Sequence, residues 1–225
     1  MKILVVEDEK GLAESMVEYL TREGFTCEVA STFMEADEKL SLYAYDCLIV
    51  DLTLPDGNGF EIISNLKKIK ATTGIIIISA RNTLEDKIHG LEIGSDDYMT
   101  KPFHLSELNA RLKSLIRRRN FNGNNDLEWN EILVNLAARR VFVAEKETFL
   151  SRKEYDLLLY FLANVDVALT KESIAEHLWG DYINSSDSLD MVYSHIKNLR
   201  RKMIEKGGKD YIHSIYGIGY KFTAP

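Results

Sequence analysis

The stretch from which the rest of the chain can be read is DCLIVDLTLPDGNGF, residues 46–60. Cys47 to Val50 form a continuous apolar run too short for a helix, and a run of that kind suits a strand covered on both faces. It ends abruptly at Asp51, and Pro55, Asp56, Gly57, Asn58 and Gly59 then supply turn chemistry. Outward from this point, KILVVE (2–7) and GIIIIS (74–79) read the same way, with a weaker strand at TCEVA (26–30) and a short one at DYMT (97–100). Amphipathic helical stretches separate them, near residues 11–22, 33–41, 59–69, 84–93 and 105–118. Strands and helices in strict alternation predict a parallel sheet with helices on both faces.

The alternation stops after Arg117, Arg118 and Arg119, where FNGNND (121–126) is rich in Asn and Gly and poor in apolar residues. With 225 residues to divide, the expected organisation is a first domain over 1–119, a linker over 120–125 and a second domain over 126–225. Short strands are expected at LEW, ILVN, RRVFVA and TFL, then helices starting near Ser151, Lys171 and Ser186. Two last strands, DYIHSI and YKFTA, flank a turn containing Gly217 and Gly219, which makes this half α+β.

Apolar residues make up 45% of the chain, but no uninterrupted apolar run approaches the roughly 20 residues that cross a bilayer, so no membrane partner is expected. The start, MKILVVEDE, turns acidic too early for a secretory signal, and a cytoplasmic location is expected. Cys27 and Cys47 lack metal-ligand spacing and read as inert thiols. The net charge of −7 argues against coating nucleic acid by bulk electrostatics. Residues 1–119 carry 15 Lys and Arg against 20 Asp and Glu, and residues 120–225 carry 13 against 15, so neither half is basic.

In such a sheet, ligands bind beyond the C-terminal ends of the strands. Glu7 and Asp8 end the first strand there, Asp51 the third and Ser79 the fourth, and Lys101 follows the fifth. Three carboxylates brought together repel unless a cation lies among them, and an all-oxygen set with room for phosphate suits Mg²⁺. Asp51 is placed to act as nucleophile toward a phosphoryl group, with Mg²⁺ and Lys101 neutralising charge and Ser79 hydrogen-bonding the product. Any one of these residues alone would read as a solvated strand end; five in register do not.

The segments ILVVEDE, LIVDLTLPDGNGFE, IIIISAR, GSDDYMTKPF and ELNARLKSLIRR together resemble the receiver domains of bacterial response regulators, over essentially all of residues 1–118. The resemblance implies a flavodoxin-like sheet of order 2-1-3-4-5. It implies that Asp51 accepts a phosphoryl group from a sensor histidine kinase, with Glu7, Asp8, Asp51 and the Thr53 backbone carbonyl holding Mg²⁺. Ser79 and Tyr98 would be switch residues beside Lys101, whose bond to Pro102 would be cis. Lys87, Asp96, Asp97, Glu107, Arg111 and Arg118 match positions that the OmpR/PhoB subfamily uses for ion pairs between subunits, which implies a homodimer on phosphorylation. Without that match they would be solvated charges worth ~0–1 kcal/mol per pair.

From Ser186 to Glu205 the second half reads as one helix, with an apolar stripe at Leu189, Val192, Ile196, Leu199 and Met203. Ser194, Lys197 and Arg201 fall on the opposite side, flanked by His195, Asn198, Arg200 and Lys202, a face of donors suited to phosphates and base edges. Preceded by LTKESIAEHLWG and followed by a hairpin, the helix has the order of a winged helix-turn-helix. Residues 126–223 resemble the OmpR/PhoB effector domain through LSRKEYDLLLYFLAN, LTKESIAEHLWG, HIKNLRRKM and YIHSIYGIGYKF. That implies binding to double-stranded promoter DNA, a wing over 211–222 with Tyr216 or Lys221 at the minor groove, and a loop GDYINSS (180–186) facing RNA polymerase. Ser188 and LDMVYSH depart from the family's usual Arg and Val-Asp-Val-His, so the operator cannot be borrowed from other members.

The expected function is thus a transcriptional response regulator of a two-component system, with no enzymatic turnover beyond its own phosphotransfer and autodephosphorylation. Two other readings are a phosphatase-like enzyme built on the acidic pocket, which leaves the second half unexplained, and a phosphorylation-independent DNA-binding regulator with a vestigial receiver.

Overall fold

The computed structural model describes residues 1–69, 72–121, 123–180 and 187–224. The chain divides into two compact units, one over Lys2–Arg119 and the other over Asn120–Pro225.

The first unit alternates β1 (Lys2–Val6), α1 (Lys10–Arg22), β2 (Thr26–Ala30), α2 (Phe33–Leu42) and β3 (Cys47–Asp51). A small hairpin, β4 (Thr53–Leu54) and β5 (Gly57–Asn58), interrupts the alternation before α3 (Gly59–Lys68), β6 (Gly74–Ser79), α4 (Leu84–Glu92), β7 (Asp97–Thr100) and α5 (Leu105–Asn120). The sheet is parallel with order β2-β1-β3-β6-β7; leaving out the hairpin, that is the flavodoxin-like 2-1-3-4-5. Because successive side chains alternate across a strand, Leu4, Val6, Leu48, Val50, Ile75 and Ile77 form a core with Ile62, Ile63 and Leu66 of α3. Ile3, Val5, Ile49 and Ile76 point the other way and are equally buried. In the central strands β1, β3 and β6, covering both faces leaves polar side chains only the strand ends.

The second unit opens with an antiparallel sheet of β8 (Asp126–Trp129), β9 (Ile132–Asn135), β10 (Arg140–Val143) and β11 (Lys146–Glu147). Then come α6 (Arg152–Ala163), β12 (Ala168–Thr170), α7 (Lys171–Trp179), α8 (Asp187–Glu205), β13 (Ile212–Ile215) and β14 (Gly219–Phe222). α6, α7 and α8 pack on one another, and β12-β14-β13 forms the winged sheet. Ser151 caps α6 in a full capping box with Glu154. Trp129, Tyr211, Phe161 and Phe222 join the layers, with ring centroids 4.4 Å apart for Trp129–Tyr211 and 5.6 Å for Phe161–Phe222.

Several details depart from the sequence reading. TFL (148–150) is not a strand; Ala144 and Glu145, both at positive φ, turn the chain so tightly that Lys146–Glu147 takes the ladder instead. The sequence pattern does not show β12, whose three residues merge into the start of α7, and the 53–58 turn is itself a two-stranded hairpin. α5 runs on to Asn120, and Phe121 in the expected linker is buried. Ser186, expected to begin the recognition helix, and residues 181–186 of the loop assigned to RNA polymerase lie outside the described residues.

Candidate functional site

At the C-terminal edge of the parallel sheet, β1 delivers Glu7 and Asp8, and β3 delivers Asp51. Ligand oxygens of these three carboxylates lie within 4.8 Å of one another. Glu7 and Asp51 are buried and Asp8 is exposed, so the cluster opens to solvent on one side. Lys101, just beyond β7, lies 2.6 Å through Nζ from Asp51 Oδ2 and 2.8 Å from Glu7 Oε1. The second Glu7 oxygen also lies 2.8 Å from Nζ but is buried without a well-directed hydrogen bond. Burial pushes the Glu7 carboxyl up, against the lowering effect of Lys101. Burial opposes the charge on Lys101, but its bonds to Asp51 and Glu7 outweigh that and raise it.

Local structure aims Asp51 outward. Its Oδ1 accepts the Thr53 N–H at 3.0 Å, and the hairpin returns the chain so that Gly59 N–H bonds the Leu52 carbonyl at 3.1 Å. A Cβ on Gly59 would overlap the Asp51 carbonyl oxygen, so only glycine lets α3 begin this close. Asn58 caps the helix by accepting from Phe60 N–H. Ser79, fully buried at the end of β6, accepts the Arg81 N–H at 3.2 Å, and its carbonyl accepts the Lys101 N–H at 2.8 Å. The Tyr98 hydroxyl donates to the Arg81 carbonyl at 2.9 Å, which links β7 to the segment after Ser79. The Lys101–Pro102 bond is cis.

The charged residues near α4 and α5 are largely paired within the chain. Arg111 Nη1 reaches both oxygens of Asp97 at 2.9 Å, and Nε reaches Glu107 at 3.0 Å. Asp96 accepts Arg119 Nε at 3.0 Å and the Ile75 N–H at 2.8 Å. Among the described residues, Lys87 and Arg118 have no ion-pair partner.

In the second unit the apolar stripe of α8 is buried at Val192, Ile196, Leu199 and Met203, and Ser194, Lys197, Asn198 and Arg201 are exposed on the opposite face. Arg200 and Lys202 are engaged within the chain, whereas His195 Nδ1 is buried without a hydrogen-bond partner among the described residues. Arg200 forks onto Asp210, Lys202 bonds Glu154 at 2.6 Å, and the His195 ring lies 5.7 Å from Trp179. Burial pushes the His195 pKa down. Tyr216 at the hairpin tip is fully exposed, while Lys221 on β14 lies 3.4 Å from Asp166.

Comparison with known proteins joins the two halves. The family described as "Response regulator receiver domain" matches residues 3–113, and "Transcriptional regulatory protein, C terminal" matches residues 145–222. Transcriptional regulatory protein CiaR of Streptococcus pneumoniae is 35% identical, over 98% of this chain and 97% of that protein. The chain belongs to the OmpR/PhoB family of response regulators. BasR of Escherichia coli is also 35% identical, over 100% of this chain and 98% of its own length. Among solved structures, the receiver domain of the Francisella response regulator 1452 is 36% identical, with 52% of this chain and 97% of that one covered at a TM-score of 0.51. As an OmpR/PhoB regulator the protein is a DNA-binding transcription regulator of a two-component system, in a family switched by phosphorylation and served by histidine kinases. Among the described residues no helix is long and apolar enough to cross a membrane.

One feature of this OmpR/PhoB receiver was not read from sequence. Leu84, Ile88 and Leu91 recur at helical spacing on α4, which by pattern assigns them to the core, yet all three are exposed. Gly90 takes the inward position instead, where a Cβ would press on Tyr98 and Ile77.

Proposed function

We propose that Asp51 is the phosphoacceptor and that its phosphorylation drives dimerisation and promoter binding. The observation that carries this reading is the cluster of Glu7, Asp8 and Asp51 with Lys101 Nζ bonded into it. In the transfer, an Asp51 carboxylate oxygen bonds to phosphorus as the phosphorus–nitrogen bond of the kinase's phosphohistidine breaks, its electron pair leaving on the ring nitrogen. Lys101 offsets the charge that gathers on the phosphoryl oxygens, and Ser79 and Tyr98 report the change to the segment that begins at Arg81. The donor set fits Mg²⁺: it is all oxygen, anionic and open on the Asp8 side, and one Glu7 oxygen lacks a directed hydrogen bond. Glu7, Asp8, Asp51 and the Thr53 carbonyl would hold the ion, which when bound neutralises charge on the transferring group. The protein performs no turnover beyond forming and hydrolysing its own aspartyl phosphate, and it acts in the cytoplasm.

For the dimer, the exposed stripe of Leu84, Ile88 and Leu91 supplies an apolar centre, with Lys87, Asp96, Asp97, Glu107, Arg111 and Arg118 as its charged rim. For DNA, α8 enters the major groove and Tyr216 and Lys221 lie toward the adjacent minor groove, with RNA polymerase as the downstream partner. Two weak half-site contacts joined in a dimer then act as one.

Intact mass after incubation with acetyl phosphate and Mg²⁺ tests the switch. One added phosphoryl group on the wild type and none on Asp51→Asn is expected; equal labelling of both, or of neither, would sink it. DNA affinity with and without the phosphoryl group then tests the output.

A further inference from the structure

The cations of α8 are mostly spoken for. Arg200 places Nε 3.0 Å from Asp210 Oδ1 and makes a second bond from Nη2 to Oδ2. Lys202 is bonded to Glu154 at 2.6 Å and to the Phe149 carbonyl at 3.1 Å. Arg201 pairs with Glu205 one turn on, at 2.9 Å. Among the described residues, Ser194, Lys197 and Asn198 are exposed and their side chains make no bond to the protein. With about 3.6 residues per turn, these three and Arg201 share one face.

Asn198 is the unexpected member. An exposed Asn in mid-helix is a poorer helix former than Ala, because its side chain competes for backbone bonds. Among the described residues it has no capping role and no partner within the chain to compensate. Its backbone is nevertheless held in place, since Ile196 and Leu199 on either side are buried. A planar amide offers one donor and one acceptor side by side. In the major groove, adenine presents the matching pair, the N7 acceptor and the N6 amino donor, whereas guanine presents two acceptors. Lys197, a point charge, suits phosphate or guanine, and the Ser194 hydroxyl accommodates any base.

We propose that Asn198 is the specificity-determining residue of α8 and reads an adenine through a bidentate amide contact. The assignment rests on the reading of α8 as the groove-entering helix. Recognition here leans on neutral base-edge chemistry more than on charge, which agrees with an effector half that has no cationic excess.

The test begins with selection of a binding site by the phosphorylated full-length protein from a randomised duplex pool. Affinities are then measured for every base at every half-site position, with wild type, Asn198→Ala and Asn198→Gln. The wild type should prefer adenine at one position by roughly 5- to 150-fold over other bases. Asn198→Ala should flatten that position alone, with unfolding unchanged, and Asn198→Gln should keep part of the adenine preference. A folded Asn198→Ala that keeps the wild-type profile at all positions, or that flattens a position where adenine was not preferred, overturns the assignment while leaving DNA binding intact. A phosphorylated wild type that selects no sequence would instead overturn the groove-binding reading and the assignment together.

Discussion

Lys202 Nζ on α8 lies 2.6 Å from Glu154 Oε2 on α6, and the same oxygen accepts the Ser151 N–H at 2.7 Å to close the α6 capping box. One carboxylate therefore fixes a helix start and pins α8 to α6. Burial acts to raise the Glu154 pKa, but Lys202 and the Ser151 N–H outweigh it and hold the carboxyl below its usual value. A carboxylate depressed by folding stabilises the protein above its unfolded pKa, and that contribution is lost as pH falls through the folded value. Glu154→Gln should cost about 2–3 kcal/mol near neutrality, somewhat less than for a fully buried pair because Lys202 is partly exposed. The variant should also lose less further stability on acidification than wild type. Trp129 and Trp179 both lie in the second unit, so tryptophan fluorescence in urea reads its unfolding alone. A midpoint unchanged at neutral pH would show that the pair contributes nothing.

Glu7 runs the other way. Burial raises its pKa, so the folded first unit favours the protonated acid; that contribution is full below the unfolded pKa and lost as pH rises through the folded value. Glu7→Gln should therefore raise the unfolding temperature at neutral pH when divalent cations are chelated. With Mg²⁺ added, wild type should be stabilised as RT ln(1 + [Mg²⁺]/Kd) requires and Glu7→Gln much less, so the order of the two narrows or inverts. Equal Mg²⁺-dependent shifts by calorimetry would remove Glu7 from the ion's ligands.

Gly59 allows α3 to start against the backbone of Asp51, where a Cβ would overlap the Asp51 carbonyl oxygen and press on Leu52 Cα. Gly59→Ala should destabilise the first unit by about 1–3 kcal/mol, the usual range for overpacking. Since the strain falls on Asp51 itself, phosphorylation by acetyl phosphate should slow as well, by roughly tenfold for each 1.4 kcal/mol of misplacement carried into the transition state. Circular dichroism melts and mass-monitored phosphorylation check the two effects separately. A normal labelling rate in a destabilised variant would mean that the strain relaxes away from Asp51.

The parallel sheet was legible because its central strands are uninterrupted apolar runs that end in polar residues, the carboxylates after β1 and on β3 and the Ser79 hydroxyl on β6, so these three strands announce both the fold and the pocket. The pocket could be read because it is built at strand ends, and a strand end is a position in the sequence. Elements set by turn geometry were less visible. The shift of β11 onto Lys146–Glu147 depends on positive φ at Ala144 and Glu145, residues that ordinarily avoid it. On α8, residue type alone could not separate Lys202, which a buried carboxylate claims, from Lys197, which nothing in the described chain claims. The outward stripe of α4 misleads for the same reason: periodicity gives a face but not its direction, and Gly90 decides that.

That stripe makes the last prediction. Ile88 is exposed between Leu84 and Leu91, while Arg111 is held by Asp97 and Glu107 of its own chain. If phosphorylation opens this face to a second copy, apolar contact must supply the stability, since exposed ion pairs that merely exchange an internal partner for an external one gain little. Ile88→Asp should therefore abolish phosphorylation-dependent dimerisation, while Arg111→Ala should weaken it only several-fold. Sedimentation velocity of the phosphorylated proteins distinguishes the two cases. Both variants should take up phosphate normally, because neither side chain is among those clustered around Asp51. A larger loss in Arg111→Ala than in Ile88→Asp would mean that the charged rim, and not the apolar centre, holds the two copies together.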